Sequence, residues 1–264
     1  MTAETEADDV EQSSRGAWLV AVGPAAALGV LALVAAAGLK PGPRALATQP
    51  AWLERLDDQI ARGAYGWVRV GYARPVAILS GEAASAQLRD AALASLEQEM
   101  KRDPEAAQDV ALVVDAIAVR NGPPAVGAAL LALPVEPDAP ACQRAFDETL
   151  AGRTIGFEAG MASLSGGSAR LLDAVAGVAM RCAAFAISIE GHTDTRGAGA
   201  GNLVLSRRRA DTVRAYLVDR GAPPAALTAI GYGETRPLDR AADGRAHARN
   251  RRIAFTVKPG PSSH

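Results

Sequence analysis

The 264-residue chain reads as an α+β protein in three parts: one membrane-spanning helix, a small α/β domain, and a C-terminal β-α-β-α-β sandwich. Three observations predict this. Residues 16–39 contain no charged or strongly polar side chain. Beyond them, apolar residues recur at helical spacing in some segments and at alternate positions in others. Clusters rich in Pro, Gly and Asn punctuate these segments as turns.

The apolar run would rise roughly 36 Å as a helix, enough to cross a hydrocarbon core of about 30 Å with some tilt. Arg15 and Lys40 bracket it, and Trp18 sits near one end, where an indole prefers the headgroup region. Pro24 falls inside, and membrane helices tolerate proline as a kink. A cleaved leader would need a basic start and a shorter apolar run, yet residues 1–12 carry five acids and no base. Ala45-Leu46-Ala47 has the character of a cleavage site but lies far beyond the run. The expectation is therefore an uncleaved anchor at 16–39, an acidic cytoplasmic tail at 1–15 and a linker at 40–50. Flanking charge does not orient it, with Arg15 on one side against Lys40 and Arg44 on the other.

Residues 51–135 form the middle domain. Leu53, Leu56 and Ile60 give residues 52–62 an amphipathic helical stripe. Val68, Val70, Val76 and Ile78, with Gly71 and Pro75 among them, read as a strand or hairpin over 67–79 that Ser80-Gly81 turns. Leu88, Ala92, Leu96 and Met100 mark a helix over 84–101, stopped by Asp103-Pro104. A second strand covers 111–119, Asn121-Gly122-Pro123-Pro124 turns, and 125–135 is a further strand or short helix. Residues 136–141 read as an interdomain linker.

The C-terminal domain spans 142–258, with a tail at 259–264. Residues 142–150 read as a helix and 154–157 as a short strand. A helix carrying Met161, Leu164, Leu171, Leu172, Val175, Val178 and Ala179 packs on that strand. A strand at 184–190 follows, then a helix at 202–220 with Ala210, Val213 and Leu217 on one face, and a closing strand at 252–257.

Charge is divided between the halves: residues 1–150 carry 12 basic and 20 acidic side chains, residues 151–264 carry 16 and 9. A basic C-terminal half suits an anionic polymer or a solvated arginine surface. It lacks interleaved aromatics on which bases would stack, so nucleic acid is not expected as a partner. Cys142 and Cys182 are too few for a zinc site and read either as buried thiols or as one disulfide in an oxidising compartment. The three histidines, His192, His247 and His264, fall in no pattern with an acid, nucleophile or metal ligand. No catalytic residue, cofactor or metal is therefore expected, and binding without turnover is the predicted activity.

Two stretches carry family resemblances. Val76-Ala77-Ile78-Leu79-Ser80-Gly81-Glu82-Ala83, the helix after it, and Asp109-Val110-Ala111-Leu112-Val113-Val114-Asp115 resemble a BON domain over roughly residues 50–120. That implies an α+β sandwich associated with cell envelopes and phospholipid surfaces. Further on stand Gly191-His192-Thr193-Asp194 with Gly197, then Asn202-Leu203-Val204-Leu205-Ser206-Arg207-Arg208-Arg209-Ala210. Gly231-Tyr232-Gly233-Glu234 with Pro237 reads as the next loop, and Asn250-Arg251-Arg252-Ile253 leads into the last strand. In this order and spacing they resemble the OmpA-like peptidoglycan-binding family.

The resemblance implies binding of the diaminopimelate of peptidoglycan stem peptides, whose side chain ends in an ammonium and a carboxylate on one carbon. Asp194 matches the ammonium-binding aspartate and Arg209 the arginine whose planar fork grips the carboxylate. Thr193, Asn202 and Leu205 match positions that complete the pocket, and Asn250 and Arg251 match the motif beside it. Each also has a plainer reading: Asp194 as a turn cap, Asn202 as a helix N-cap, Leu205 as packing. The small loop Ala198-Gly199-Ala200-Gly201 departs from the family's larger polar residues. Cys142 and Cys182 bracket the first strand and helix, as a disulfide pair does in some members. The implied topology places the N-terminus in the cytoplasm and the domains in the periplasm facing the wall. Its partners would be peptidoglycan, membrane lipid along 16–39, and envelope proteins or further copies of the chain. The competing function is a component of an envelope pore, transport or stator complex that uses the same domain as its wall anchor.

Overall fold

A computed structural model describes residues 49–241 and 243–258. The predicted anchor at 16–39, its flanking tail and the C-terminal tail lie outside them. Among the described residues no helix is long and apolar enough to cross a membrane. Residues from 49 onward form one compact unit of mixed α and β structure.

Helix α1 (Ala51–Arg62) buries Trp52, Leu53, Leu56 and Ile60, the stripe its spacing predicts. Strands β1 (Arg69–Ala73) and β2 (Val76–Ala83) form an antiparallel hairpin. Helix α2 (Ala86–Arg102) then starts on Ser85, whose hydroxyl accepts from the Leu88 N–H at 3.2 Å. It stops at Asp103, but Pro104 opens a further turn, α3 (Pro104–Asp109), because its fixed φ suits a first helical position and Asp103 caps the freed N–H groups. Strand β3 (Leu112–Val119) lies parallel to β2, which puts β2 at the centre of the first sheet.

Ser80-Gly81 does not turn the chain. Both lie in β2, paired with Ala116 and Ile117. Gly81 has φ +137°, and a Cβ there would sit 2.5 Å from the Trp67 carbonyl oxygen, so this glycine marks a close backbone approach within a strand.

The sheet is apolar on both faces. Ala77, Leu79, Ala83 and Ile117 join Trp52, Leu56, Leu93 and Leu96 under α1 and α2. Their alternates Val76, Ile78, Leu112 and Val114 enter a second core shared with the C-terminal half. Helix α4 (Ala128–Ala132) contributes Leu130 to this second core, and residues 133–138 lead into α5 (Ala139–Leu150). The helix reading of 125–135 is the one adopted. Gly177 of α6 (Ala169–Arg181) admits the contact: a Cβ there would lie 2.9 Å from Leu130 Cδ1 and 3.0 Å from Val114 Cγ2.

The second sheet has the order β5-β4-β6. Central β4 (Ala186–His192) pairs parallel with β5 (Leu227–Gly233) and antiparallel with β6 (Ile253–Lys258). Helix α7 (Gly199–Asp219) crosses from β4 to β5, and α8 (Gly244–Asn250) precedes β6. Ala210, Val213 and Leu217 are the buried face of α7, as expected. A disulfide joins Cys142 in α5 to Cys182 at the end of α6.

Two predictions for this half need correction. Residues 154–157 do not form a sheet strand; Phe157 makes one isolated bridge to Leu164. The Gly156 N–H donates to Ser168 Oγ at 2.8 Å and its carbonyl accepts from Ser165 N at 3.0 Å, so loop groups satisfy backbone that a sheet would otherwise take. Helix α6 accordingly starts at Ala169, leaving Met161 on an exposed loop. Conversely, Gly231-Tyr232-Gly233, expected in a loop, closes strand β5. Those glycines let α7 lie on the strand: a Cβ at Gly231 would stand 2.5 Å from the Arg207 backbone nitrogen.

Candidate ligand-binding cleft

The C-terminal end of β4 delivers His192, Thr193 and Asp194 to one edge of the second sheet, all of them buried. Thr193 N–H donates to Gly233 O at 2.9 Å, fixing the loop to the end of β5. Asn202 is not the N-cap of α7; that position is Ala198, because the small residues 199–201 are taken into the helix. From the first turn, Asn202 Nδ2 reaches Asp194 O and Arg196 O, each at 3.2 Å, and Glu234 Oε2 at 2.7 Å. One buried amide thus holds the Asp194 loop against the residue after β5.

The Asp194 carboxylate is the electrostatic centre. Its Oδ2 accepts from Arg196 Nε at 3.0 Å, Arg196 Nη2 at 2.7 Å and Arg251 Nη1 at 2.8 Å, and its Oδ1 accepts from Arg196 N at 3.1 Å. Burial pushes the carboxyl pKa up, but the hydrogen bonds from Arg196 and Arg251 outweigh it and hold the group at about 2. Arg209 is placed differently. Its Nε donates to Met161 O at 3.0 Å, its guanidinium carbon lies 5.0 Å from the centroid of the Phe157 ring, and its terminal nitrogens have no partner among the described residues. Burial lowers its pKa, as does the neighbouring charge of Arg251, while Asp194 raises it.

A cleft of ≈390 Å³ collects these groups: Phe157, Glu158, His192, Arg196, Arg209, Arg251 and Arg252 line it. The other predicted positions surround it. Leu205 is half-buried on α7. Asn250 accepts from Leu238 N at 2.8 Å and Asp239 N at 3.0 Å and donates to Asp239 O at 2.7 Å, so it pins the loop before α8. The sequence reading missed Arg196 and Arg252. Nothing in their spacing separates them from the other arginines; only the turn at Asp194 and the start of β6 aim them inward. Among the described residues no cluster of His, Cys, Asp and Glu could hold a metal ion.

His192 is buried with neither ring nitrogen hydrogen-bonded, and its ring stacks on Tyr232 with centroids 5.4 Å apart. Burial, then the charges of Arg252 and Arg236, push its pKa down to about 4. Both His192 and Asp194 therefore titrate lower in the folded chain than in the unfolded one, so the unfolded state binds the extra protons as pH falls. His192's contribution to stability is complete above its ordinary 6.5 and is lost as pH falls towards 4. Asp194's is complete above 3.8 and is lost as pH falls through about 2. The expected losses are about 3 and about 2 kcal/mol respectively. Chemical unfolding of wild type and His192→Gln at a series of pH values checks the upper window. The stability difference between them should change between pH 6.5 and 4; a constant difference would refute the assignment.

Comparison with known proteins decides what kind of domain carries this cleft. Residues 156–251 match the OmpA family. The chain is 43% identical over 67 residues to the peptidoglycan-associated lipoprotein of Pseudomonas aeruginosa, which covers 25% of this chain and 40% of that protein. It is 44% identical over 72 residues to outer membrane porin F of Pseudomonas fluorescens, covering 27% and 22%. The chain thus spans well under two thirds of either relative. The crystal structure of the peptidoglycan-associated lipoprotein from Burkholderia pseudomallei is 30% identical, with a TM-score of 0.38, covering 41% of this chain and 92% of that one. The matched region contains Asp194, Arg209 and most of the cleft wall but not Thr154, Ile155 or Arg252, and it excludes the middle domain.

Proposed function

We propose that this chain is a non-enzymatic envelope anchor whose OmpA-like domain binds the diaminopimelate of peptidoglycan stem peptides. The observation that carries the reading is a fixed carboxylate, Asp194, held by two residues of the cleft wall, Arg196 and Arg251, and an arginine fork with unoccupied terminal nitrogens, Arg209, on the same wall. A zwitterionic carbon needs that pair. Relatives named as peptidoglycan-associated lipoproteins support peptidoglycan as the partner. In this reading residues 16–39 hold the chain in the membrane, lipid is the partner there, and both folded domains face the wall from the periplasm. The α-β-β-α-α-β order of residues 51–119, with the second helix continued by the short third, supports the BON-like reading of the middle domain.

In the unliganded protein Arg196 occupies the place where a ligand ammonium would meet Asp194, and its side chain is 66% exposed. Ligand entry displaces Arg196 and leaves the Arg251 contact in place. Co-sedimentation of the full chain with purified sacculi of the diaminopimelate type tests the reading. Wild type should sediment, Arg209→Ala should bind at least about tenfold more weakly, since a charged bidentate contact is lost, and Arg196→Ala should bind at least as well as wild type. Absence of wild-type sedimentation would refute the anchor, and undiminished binding by Arg209→Ala would refute the role of Arg209.

A further inference from the structure

The cleft wall holds polar atoms that the zwitterion site does not use. Arg252 immediately precedes β6; its Nη2 donates to Arg236 O at 3.3 Å, while its Nη1 is buried with no hydrogen-bond partner. Beside it, both nitrogens of His192 are likewise unpartnered on a ring that is 3% exposed. Both residues line the cleft that also holds Arg209. Buried donors without partners are uncommon in native structures and point to a group that arrives from outside.

The charge balance gives that group its sign. Asp194 is already shared by Arg196 and Arg251. Arg209 and Arg252 have no carboxylate within ion-pair distance among the described residues. Glu158 lines the cleft but is exposed, and Glu190 acts on Arg252 only through its charge, its carboxylate standing 3.9 Å from His192 Nε2. Arg252 also lines an adjoining groove of ≈630 Å³, bounded by Arg153, Arg249 and Arg251. A ligand seated on Asp194 and Arg209 therefore has a cationic path to extend along.

We propose that Arg252, with His192 as a neutral hydrogen-bond partner, forms a second subsite that takes a further carboxylate of the same ligand. The proposal rests on the peptidoglycan reading. On a stem peptide we assign this role to the free α-carboxylate of the glutamate preceding diaminopimelate, a group separate from the two carboxyls of diaminopimelate itself. Arg252 supplies the charge. His192 is uncharged at neutral pH, so it hydrogen-bonds the carboxylate or the adjacent amide without adding to the crowd of cations.

Calorimetric titration of the full chain in detergent micelles separates the two claims. The probes are free meso-diaminopimelate, the tripeptide L-Ala-γ-D-Glu-meso-diaminopimelate, and that tripeptide with the glutamate α-carboxyl amidated. Wild type should bind the free-acid tripeptide about tenfold more tightly than the amidated one, as for loss of one charged contact. In Arg252→Gln that preference should vanish while affinity for free diaminopimelate is unchanged, which also shows that the variant is folded. Equal affinity of wild type for the two tripeptides, or a preference that persists in Arg252→Gln, would overturn the subsite and leave the zwitterion site standing. If Arg252→Gln does not fold, the two wild-type affinities decide. If wild type binds none of the probes, the peptidoglycan reading itself falls, and the subsite with it.

Discussion

Removing the Cys142–Cys182 disulfide is expected to lower the unfolding free energy by about 4 kcal/mol, the cost of releasing the 40-residue closure from the unfolded chain. In a domain whose net stability is on the order of 5–15 kcal/mol, this is the largest single covalent contribution. The bond ties α5 to the end of α6, and both sulfur-bearing residues are fully buried in the core shared by the two sheets. Phe146, one turn along α5 from Cys142, stacks on Phe255 of β6 with centroids 4.8 Å apart. Loosening α5 therefore weakens the outer edge of the second sheet, next to Arg251 and Arg252. Denaturant titration of the Cys142→Ala/Cys182→Ala double variant measures the effect. A loss below about 1 kcal/mol would mean that packing alone holds α5 in place.

Replacing Asp194 with alanine is expected to weaken muropeptide binding by roughly 100-fold, within the 2–5 kcal/mol span of losing one partner from a buried charged contact. The variant removes the only carboxylate that Arg196 and Arg251 share, leaving four guanidinium groups, with Arg209 and Arg252, around a cleft that must admit an ammonium. Repulsion then replaces attraction at the same point. Asp194→Asn keeps the shape and the backbone contact to Arg196 N, so it should lose nearly as much affinity while keeping more stability. The pH profile adds a second signature: the loss of stability between pH 3.8 and about 2 should disappear in both variants. Wild-type affinity in Asp194→Ala would assign the ammonium to another group.

How far the sequence revealed this architecture differs by region, for physical reasons. Helices α1, α2 and α7 were legible because each buries one stripe and leaves the other in water, which writes a period into the sequence. Strand β5 was not, because its glycines answer to the backbone of α7 rather than to the strand. Likewise Ser80-Gly81 has a turn's composition but a strand's pairing, since Trp67 leaves no room for a side chain at Gly81. Residues 154–157 have a strand's composition, but loop hydroxyls at Ser165 and Ser168 surround Gly156. The site divides in the same way. Asp194 and Arg209 were named from their motif; Arg209 lines the cleft, and Asp194 is bonded to Arg196 and Arg251, which line it too. The pairing of Asp194 with Arg196 and Arg251 depends on a turn geometry that no spacing encodes. The sharing of one core between the two sheets was equally hidden, because a sheet apolar on both faces reads simply as a hydrophobic run.

The central claim concerns two groups on one carbon of a ligand, so the most direct measurement is a crystal structure of the protein with a meso-diaminopimelate muropeptide. The account predicts the side-chain ammonium at Asp194, with Arg196 displaced, and the carboxylate on the same carbon across both terminal nitrogens of Arg209. A muropeptide bound elsewhere, or one seated in the cleft with Arg209 still directed only to Met161 and Asp194 still held by Arg196, would contradict it.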